Sequence, residues 1–357
     1  MSLFVILTIK FQLERRKPVT KNTKITMNDY FDVLKKVKER IVQSQYKVMT
    51  VANVERNILY WNIGKVIIEY SQWGSKFVEN LSKDLRMEYS GVEGYSIRNL
   101  NYMKQFALRI PTEDILHQVG AKVSWRAIKL LIDKTNSLEE HLWYTEQCIK
   151  NGWSSTILQH QLESSLYKRQ ALVKKQSNFK ELLTNPLGEQ AEEIMKDPYI
   201  FDFIPSAPKL KETELENALV QQITKLLLEF GSGFAFMGNQ YPITVGSREF
   251  FIDLLFYNVK LHCYFVVELK TVEFEPEFAG KLSFYLSAVD GELKSDHDNP
   301  TIGLLLCKGK DKLVAEYALK DINKPLGISE YKLSNEISEE LSKNLPTIED
   351  IEQRMNL

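Results

Sequence analysis

Two apolar, strand-like runs in the second half of the chain carry charge where buried strands seldom do. The stretch Phe250–Lys270, FFIDLLFYNVKLHCYFVVELK, sets Asp253, Glu268 and Lys270 near strand positions among aliphatic and aromatic neighbours. An unpaired ion in such surroundings costs several kcal/mol, so charge kept there points to use. Glu268 and Lys270 are two apart, and the period of two along a strand puts both side chains on one face. Pairing the runs as a hairpin across Asn258–Leu261 brings Asp253 to the Glu268 end, so two carboxylates and an ammonium converge. That set suits phosphodiester hydrolysis. Paired carboxylates can hold one or two Mg²⁺ (or Mn²⁺) ions, hard cations that prefer oxygen ligands. Such a metal activates a water and neutralises phosphoryl charge, while a nearby lysine orients the water or stabilises the oxyanion. Asp253 and Glu268 are thus the expected metal ligands, with Lys270 serving the nucleophile. The competing reading is a structural ion pair, the ordinary state of an isolated ExK in a chain with 26% charged residues. The aspartate fifteen positions upstream of Glu268, in an equally apolar run, favours catalysis.

At these residues the sequence resembles a known family. D…(E/D)xK on consecutive strands is the signature of the PDDEXK, or restriction-endonuclease-like, nuclease superfamily. Longer phrases resemble its YhcG-type members: YWNIGKVIIEYSQWGSKFVENLSKDLR, SIRNLNYMKQF and NGWSSTIL their N-terminal domain, and LENALV, FIDLLFYN, VVELK, FAGKLSFYLSAVD and NPTIGLLLCK their nuclease domain. The resemblance runs from about Tyr30 to Leu333. It implies a restriction-endonuclease-like α/β domain with a mixed central sheet, metal-dependent cleavage of DNA, a DNA-binding N-terminal domain and a homodimer. It also implies a fourth carboxylate on the helix before the sheet, where Glu216 in LENALV fits. Against that, Thr213-x-x-Glu216 is a capping box and a first-turn Glu suits the helix dipole, so both readings of Glu216 stand. Gln240 in GNQY is expected to face the site from the preceding strand. Where the family usually reads GQMNFYL, this chain has Gly280-Lys281-Leu282-Ser283-Phe284-Tyr285-Leu286. Lys281 in place of Gln adds positive charge at a position expected to touch the scissile phosphate, and Tyr285 reads as core.

These groups need a scaffold, and the composition is that of a globular one. The chain has 357 residues, 44% of them hydrophobic, enough for two cored domains and too apolar for a largely disordered or fibrous protein. No run approaches the ~20 apolar residues of a membrane helix. Cys148, Cys263 and Cys307 form no CxxC pair and the five histidines no HExxH spacing, which argues against zinc and disulfide frameworks. With no phosphate-loop, dinucleotide or nucleophile-elbow motif, a catalytic metal falls to carboxylates. Met1–Leu13 is apolar but short and lacks a basic leader and a cleavage site, so it reads as an upstream extension of a cytoplasmic protein.

Hydrophobic periodicity then orders the chain. Spacings of three and four predict helices over Tyr30–Met49, Val51–Ser71 and Lys76–Tyr89, a break at Trp73-Gly74-Ser75, and further helices at Ile97–Ile110, Ser124–Asp133, Leu138–Lys150 and from Ser154. From Lys209 the pattern becomes a helix over Leu215–Phe230, strands at Phe234–Tyr241, Phe250–Tyr257 and His262–Leu269, a helix at Glu277–Val289, a strand at Thr301–Cys307, a helix near Leu313–Leu319 and a strand near Ile328–Leu333. The reading is an extension (1–27), an all-α, helix-turn-helix-like DNA-binding domain (28–169), a linker (170–208), a nuclease domain (209–334) and an acidic helical tail (335–357).

A net charge of −1 hides a split. Through Gln176 there are 28 Lys and Arg against 17 Asp and Glu, and beyond it 18 against 30. The basic half is the one to attract a polyanion. Within it Gly94–Ile110 reads as a recognition helix, with Arg98, Asn99, Asn101, Lys104 and Gln105 on polar faces suited to phosphates and base edges. Its competing reading is a solvated helix of a bundle. The function expected is a Mg²⁺-dependent DNA endonuclease. The alternative is a non-catalytic DNA-binding or assembly protein that retains the fold, and an RNA substrate stays open.

Overall fold

The computed structural model describes residues 27–70, 76–91, 93–117, 122–205 and 210–334. The extension through residue 26, the expected break at Trp73-Gly74-Ser75 and the tail from residue 335 lie outside these.

The N-terminal part is all helical: α1 (Met27–Glu69), α2 (Phe77–Glu88), α3 (Ile97–Arg109), α4 (Trp125–Lys134), α5 (Leu138–Asn151) and α6 (Ser155–Glu163). The boundary expected near residue 50 is absent, and one continuous helix runs 43 residues. Nothing between Met49 and Val51 breaks a helix, since the segment holds no Gly or Pro. Serines start the later helices as their spacing predicts. Ser96, Ser124, Ser137 and Ser154 each accept the backbone N–H three residues on, at 3.1–3.2 Å, each cap contributing about 1 kcal/mol. Trp61, Leu100, Met103, Phe106, Ile128, Leu131, Tyr144 and Leu158 fill the core. Gly64 lets α1 and α3 approach, because a Cβ there would sit 2.0 Å from the Met103 carbonyl oxygen.

The second part is a sheet with helices on both faces. Its strands are β1 (Gln176–Ser177), β2 (Tyr199–Phe201), β3 (Phe234–Val245), β4 (Arg248–Asn258), β5 (Cys263–Leu269), β6 (Ile302–Cys307) and β7 (Leu326–Leu333). The order is β1-β7-β6-β5-β4-β3, with β2 also on β7. The β3–β4–β5 meander is antiparallel and β5–β6–β7 parallel, which makes the expected mixed sheet. Among the helices here are α7 (Leu187–Ile194), α8 (Glu212–Gln221), α9 (Ile223–Phe230), α10 (Pro276–Glu292) and α11 (Lys312–Lys320). The single helix expected over Leu215–Phe230 is broken at Gln222, which leaves helical geometry between α8 and α9.

The segment read as a linker, 170–208, is part of this domain. β1 and β2 pair with β7, and Phe179, Leu183, Leu187, Ala191, Met195, Tyr199 and Phe201 enter the core of one sheet face. The physical reason is the edge of β7, whose unpaired backbone groups need partners. A buried ion network ties this segment to the helical part. The Arg169 guanidinium donates to Glu229 Oε1 at 2.5 Å, to the Ser164 carbonyl at 2.8 Å and to the Pro198 carbonyl at 3.0 Å. Ile200 N–H donates to Glu229 at 2.9 Å, and Lys196 Nζ lies 3.7 Å away. Burial alone would push the Glu229 carboxyl up, but Arg169 and Lys196 outweigh it and hold it below the usual range.

Candidate active site

Strand alternation decides which side chains meet. On β4, Leu254 and Phe256 face the core lined by 179–204, while Leu255 faces α10, as Val266 does on β5. Asp253 shares the parity of Leu255, and Glu268 that of Val266. The β4–β5 register ends at Leu254 opposite Val267, and one further step sets Asp253 opposite Glu268. The Leu269 N–H closes this end by donating to Asp253 Oδ2 at 2.9 Å. The hairpin convergence expected from the sequence is therefore what forms.

Glu268 is fully buried. Its Oε1 accepts from two ammonium groups, Lys270 Nζ at 2.9 Å and Lys281 Nζ, arriving from α10, at 2.5 Å. Lys270 also donates to Glu212 Oε2 at 3.0 Å and to the Leu269 carbonyl at 3.1 Å. Burial pulls the Lys270 ammonium down, but its bonds to Glu268 and Glu212 outweigh that and leave it raised. The same balance, with Glu268 as partner, raises Lys281. Asp253 moves the opposite way for a carboxylate: burial, then the charge of Glu268, push it up to about 6 against the Leu269 N–H and both lysines.

The two readings of Glu216 separate in the structure. The helix begins at Glu212, and Lys211 N–H donates to Glu214 Oε2 at 3.0 Å, so Glu214 takes the capping role. Glu216 is buried and turned to the site, where Oε1 accepts from Asn239 Nδ2 at 2.8 Å and Oε2 from Gln240 Nε2 at 2.6 Å. Gln240 Nε2 also reaches Asp253 Oδ1 at 3.4 Å and so bridges the two carboxylates. It does this from a left-handed backbone (φ 42°), just past a bulge between Phe236 and Gly238. Such a conformation costs a non-glycine residue on the order of 1 kcal/mol. Tyr285 is buried in the core with the Lys281 ammonium 5.3 Å from its ring centre, as its pattern predicts.

The donor set fits a hard divalent cation. Glu268 Oε2 is buried without a hydrogen-bond partner, and Asp253 Oδ1 has only the long Gln240 contact. A buried carboxylate oxygen left unpaired costs about 1–3 kcal/mol, and a cation between the two carboxylates would satisfy it. Among the described residues no three His, Cys, Asp or Glu side chains cluster closely enough to hold a metal alone. Two carboxylates with remaining positions open to water and phosphate is a coordination that Mg²⁺ commonly adopts.

Sequence reasoning missed Glu212 and Asn239. Glu212 lies four residues before Glu216 on α8, a same-face spacing that a search around Glu216 would have found. Asn239 had no signal, because the bulge aims it.

The remaining sequence-predicted residues sit apart from this cluster. On α3, Arg98 and Asn101 are exposed and Lys104 half-buried, in line at intervals of three. None of the three hydrogen-bonds to the carboxylate cluster among the described residues. Asn99 is structural instead: its Oδ1 accepts from Trp125 Nε1 at 2.7 Å and its Nδ2 donates to the Gly94 carbonyl at 2.6 Å. No described helix is long and apolar enough to cross a membrane.

Residues 192–346 match the YhcG PDDEXK nuclease domain and residues 36–169 the DUF1016 N-terminal domain. The sequence is 26% identical over 335 residues, 82% of this chain and 88% of the relative, to the Escherichia coli (strain K12) protein named "Putative nuclease YhcG". Two solved structures overlap about half of their own length with this chain: a repair endonuclease from Pyrococcus abyssi (16% identity, 36% of this chain, 49% of that one, TM-score 0.24) and the EndoMS-dsDNA2 complex (15%, 37%, 47%, 0.26).

Proposed function

Taking this chain as a YhcG-type PDDEXK nuclease domain, restriction-endonuclease-like in fold, joined to a DUF1016 N-terminal domain, we propose that it is a divalent-metal-dependent endonuclease acting on DNA. The observation that carries the reading is the buried Glu268, with two ammonium groups on one oxygen and none on the other, facing Asp253 across the β4–β5 ladder. Asp253 and Glu268 would hold Mg²⁺ or Mn²⁺. Bound there, such an ion acidifies a water and draws charge from the phosphoryl group. Lys270, fixed between Glu268 and Glu212, presents its ammonium to the attacking water or the developing oxyanion. Asn239 and Gln240 hold Glu216 in the same cluster. Arg98, Asn101 and Lys104 on α3 would engage the DNA backbone and base edges, so the basic half grips what the acidic half cuts. The reading extends to a homodimer, one site per strand, and to a cytoplasmic setting.

A plasmid-nicking assay with Mg²⁺ or Mn²⁺ tests it on the full chain and its Asp253→Ala form. Metal-dependent nicking that disappears in the variant is the expected result. Equal activity in both sinks the assignment. Salt-dependent binding of duplex DNA without cleavage would favour a non-catalytic role, and cleavage of RNA alone would replace the substrate.

A further inference from the structure

The two lysines on Glu268 are not equivalent. Lys270 is enclosed, with 8% of its side chain exposed, and is held by Glu212, the Leu269 carbonyl and the Phe278 ring at 5.3 Å as well as by Glu268. Lys281 is 46% exposed, and among the described residues it meets, besides Glu268 Oε1, the ring of Tyr285, 5.3 Å away, and the charge of Asp253. One ammonium is part of the frame. The other is free to leave along a four-carbon stem.

We propose that Lys281 is a displaceable internal counter-ion of Glu268 and thereby sets how tightly this site takes a divalent cation. The inference rests on Asp253 and Glu268 being the metal's ligands. A cation bound to Glu268 Oε2 would lie close to the ammonium on Oε1, and like charges at that range inside a half-buried site repel strongly. Lys270 cannot yield, since Glu212 and the backbone hold it. Lys281 can, because its side chain is half exposed and the Tyr285 ring offers its ammonium a resting place. Binding of the cation must then exceed the loss of the Lys281–Glu268 pair, which weakens affinity. A neutral side chain at 281 lifts that penalty. The released ammonium stays beside the site, where an incoming phosphodiester would meet it, so cation entry and phosphate capture share one side chain.

The test is isothermal titration of Mn²⁺ alone, without nucleic acid, into the full chain and its Lys281→Gln, Lys281→Met and Asp253→Asn forms, with circular dichroism confirming the fold of each. Both Lys281 variants should bind Mn²⁺ tighter, by roughly tenfold, the order expected for removing one nearby positive charge. Agreement between Gln and Met would assign the effect to charge rather than to a new amide contact. Binding equal to or weaker than the parent in both overturns the proposal while leaving the metal reading intact. Undiminished binding in Asp253→Asn, or none in the parent, overturns the ligand assignment and this inference with it.

Discussion

Two buried glutamates, Glu229 at the junction with the helical part and Glu268 near the end of β5, use their charge in opposite ways. Around Glu229 the network is closed: Arg169, Lys196 and the Ile200 N–H cover both oxygens, and Arg169 is itself satisfied by Ser164 and Pro198. Around Glu268 it is lopsided, with two ammonium groups on Oε1 and nothing on Oε2. Burial does not separate them, since both side chains are at most 2% exposed. Completeness does. A network with every atom partnered fixes one arrangement of the chain, whereas a bare buried carboxylate oxygen facing a second carboxylate suits a ligand that the protein does not itself supply.

Substitution should separate the two glutamates most sharply. Glu268→Gln should lower cleavage by at least about a thousandfold, the scale of removing a group that acts on the developing charge, with a smaller loss of stability than at Glu229, because Lys270 keeps Glu212, Lys281 is half exposed and Asp253 loses a repelling neighbour. Glu229→Gln should do the reverse, destabilising by about 3–5 kcal/mol as Arg169 and Lys196 lose their counter-charge. Denaturant melts beside nicking rates measure both. If Glu229→Gln kills activity in protein that is still fully folded, or Glu268→Gln unfolds the chain, the distinction between closed and open networks is wrong.

A smaller effect should separate α1–α3 packing from the sheet. Gly64→Ala places a methyl group against the Met103 carbonyl. It should cost about 1–3 kcal/mol, the range for overpacking a tight contact, and act on the helical part, with hydrogen exchange rising in α1 and α3 before the sheet. Uniform loss of protection across both parts would show that they unfold as one unit.

The open network was the more legible in the sequence. Asp253, Glu268 and Lys270 stand out because charge in an apolar strand is improbable, and a period of two with a short hairpin fixes their convergence. The closed one went unread. Arg169 and Glu229 are 60 residues apart and sit in segments where charge is ordinary. Glu216 was ambiguous because a helix turns about 100° per residue, so a start two residues earlier, with Lys211 rather than Thr213 as the cap, hands the capping role to Glu214 and leaves Glu216 toward Asn239 and Gln240. The segment 170–208 reads as a linker by polarity. Yet Phe179, Leu183, Leu187, Ala191 and Met195 recur every four residues, and the edge of β7 that they help cover could be seen only once the strand order was known.

His141 is another buried group without a hydrogen-bond partner, this time in the helical part. Neither ring nitrogen has a hydrogen-bond partner, and burial, then the charge of Arg109, hold its pKa down to about 3. The folded pKa lies below the unfolded one, near 6.5. Stability from this residue is therefore complete above pH 6.5 and falls as the pH drops, because only the unfolded chain takes up the proton. At pH 5.5 the loss should be about 1.4 kcal/mol, and His141→Phe should flatten that limb in melts taken between pH 7 and 5. An unchanged slope would mean that the ring is protonated in the fold. Here an orphan polar group marks a cost, where at Glu268 an orphan oxygen is what the proposed cation would satisfy.

The smallest effects belong to the exposed face of α3, and they test the charge split between the two halves. Arg98 and Asn101 are exposed and Lys104 half-buried, and none carries a salt bridge to a carboxylate among the described residues. Removing one cationic side chain that neutralises a phosphate should reduce the slope of log affinity against log salt by roughly one. Arg98→Ala and Lys104→Ala should thus weaken duplex binding by about tenfold or less at low salt, and similarly for any sequence. Asn101→Ala, which removes no charge, should leave the slope unchanged and alter only the preference among sequences. If both lysine and arginine variants keep the parent slope, α3 is a solvated helix of the bundle, and the polyanion is held by another part of the basic half, where Lys83 and Arg86 on α2 and Arg126 on α4 are exposed and next to replace. Because these side chains are exposed and screened by salt, the small size of the effect is itself the expectation. A hundredfold loss from either single substitution would point instead to a buried interaction that the exposure of this face does not allow.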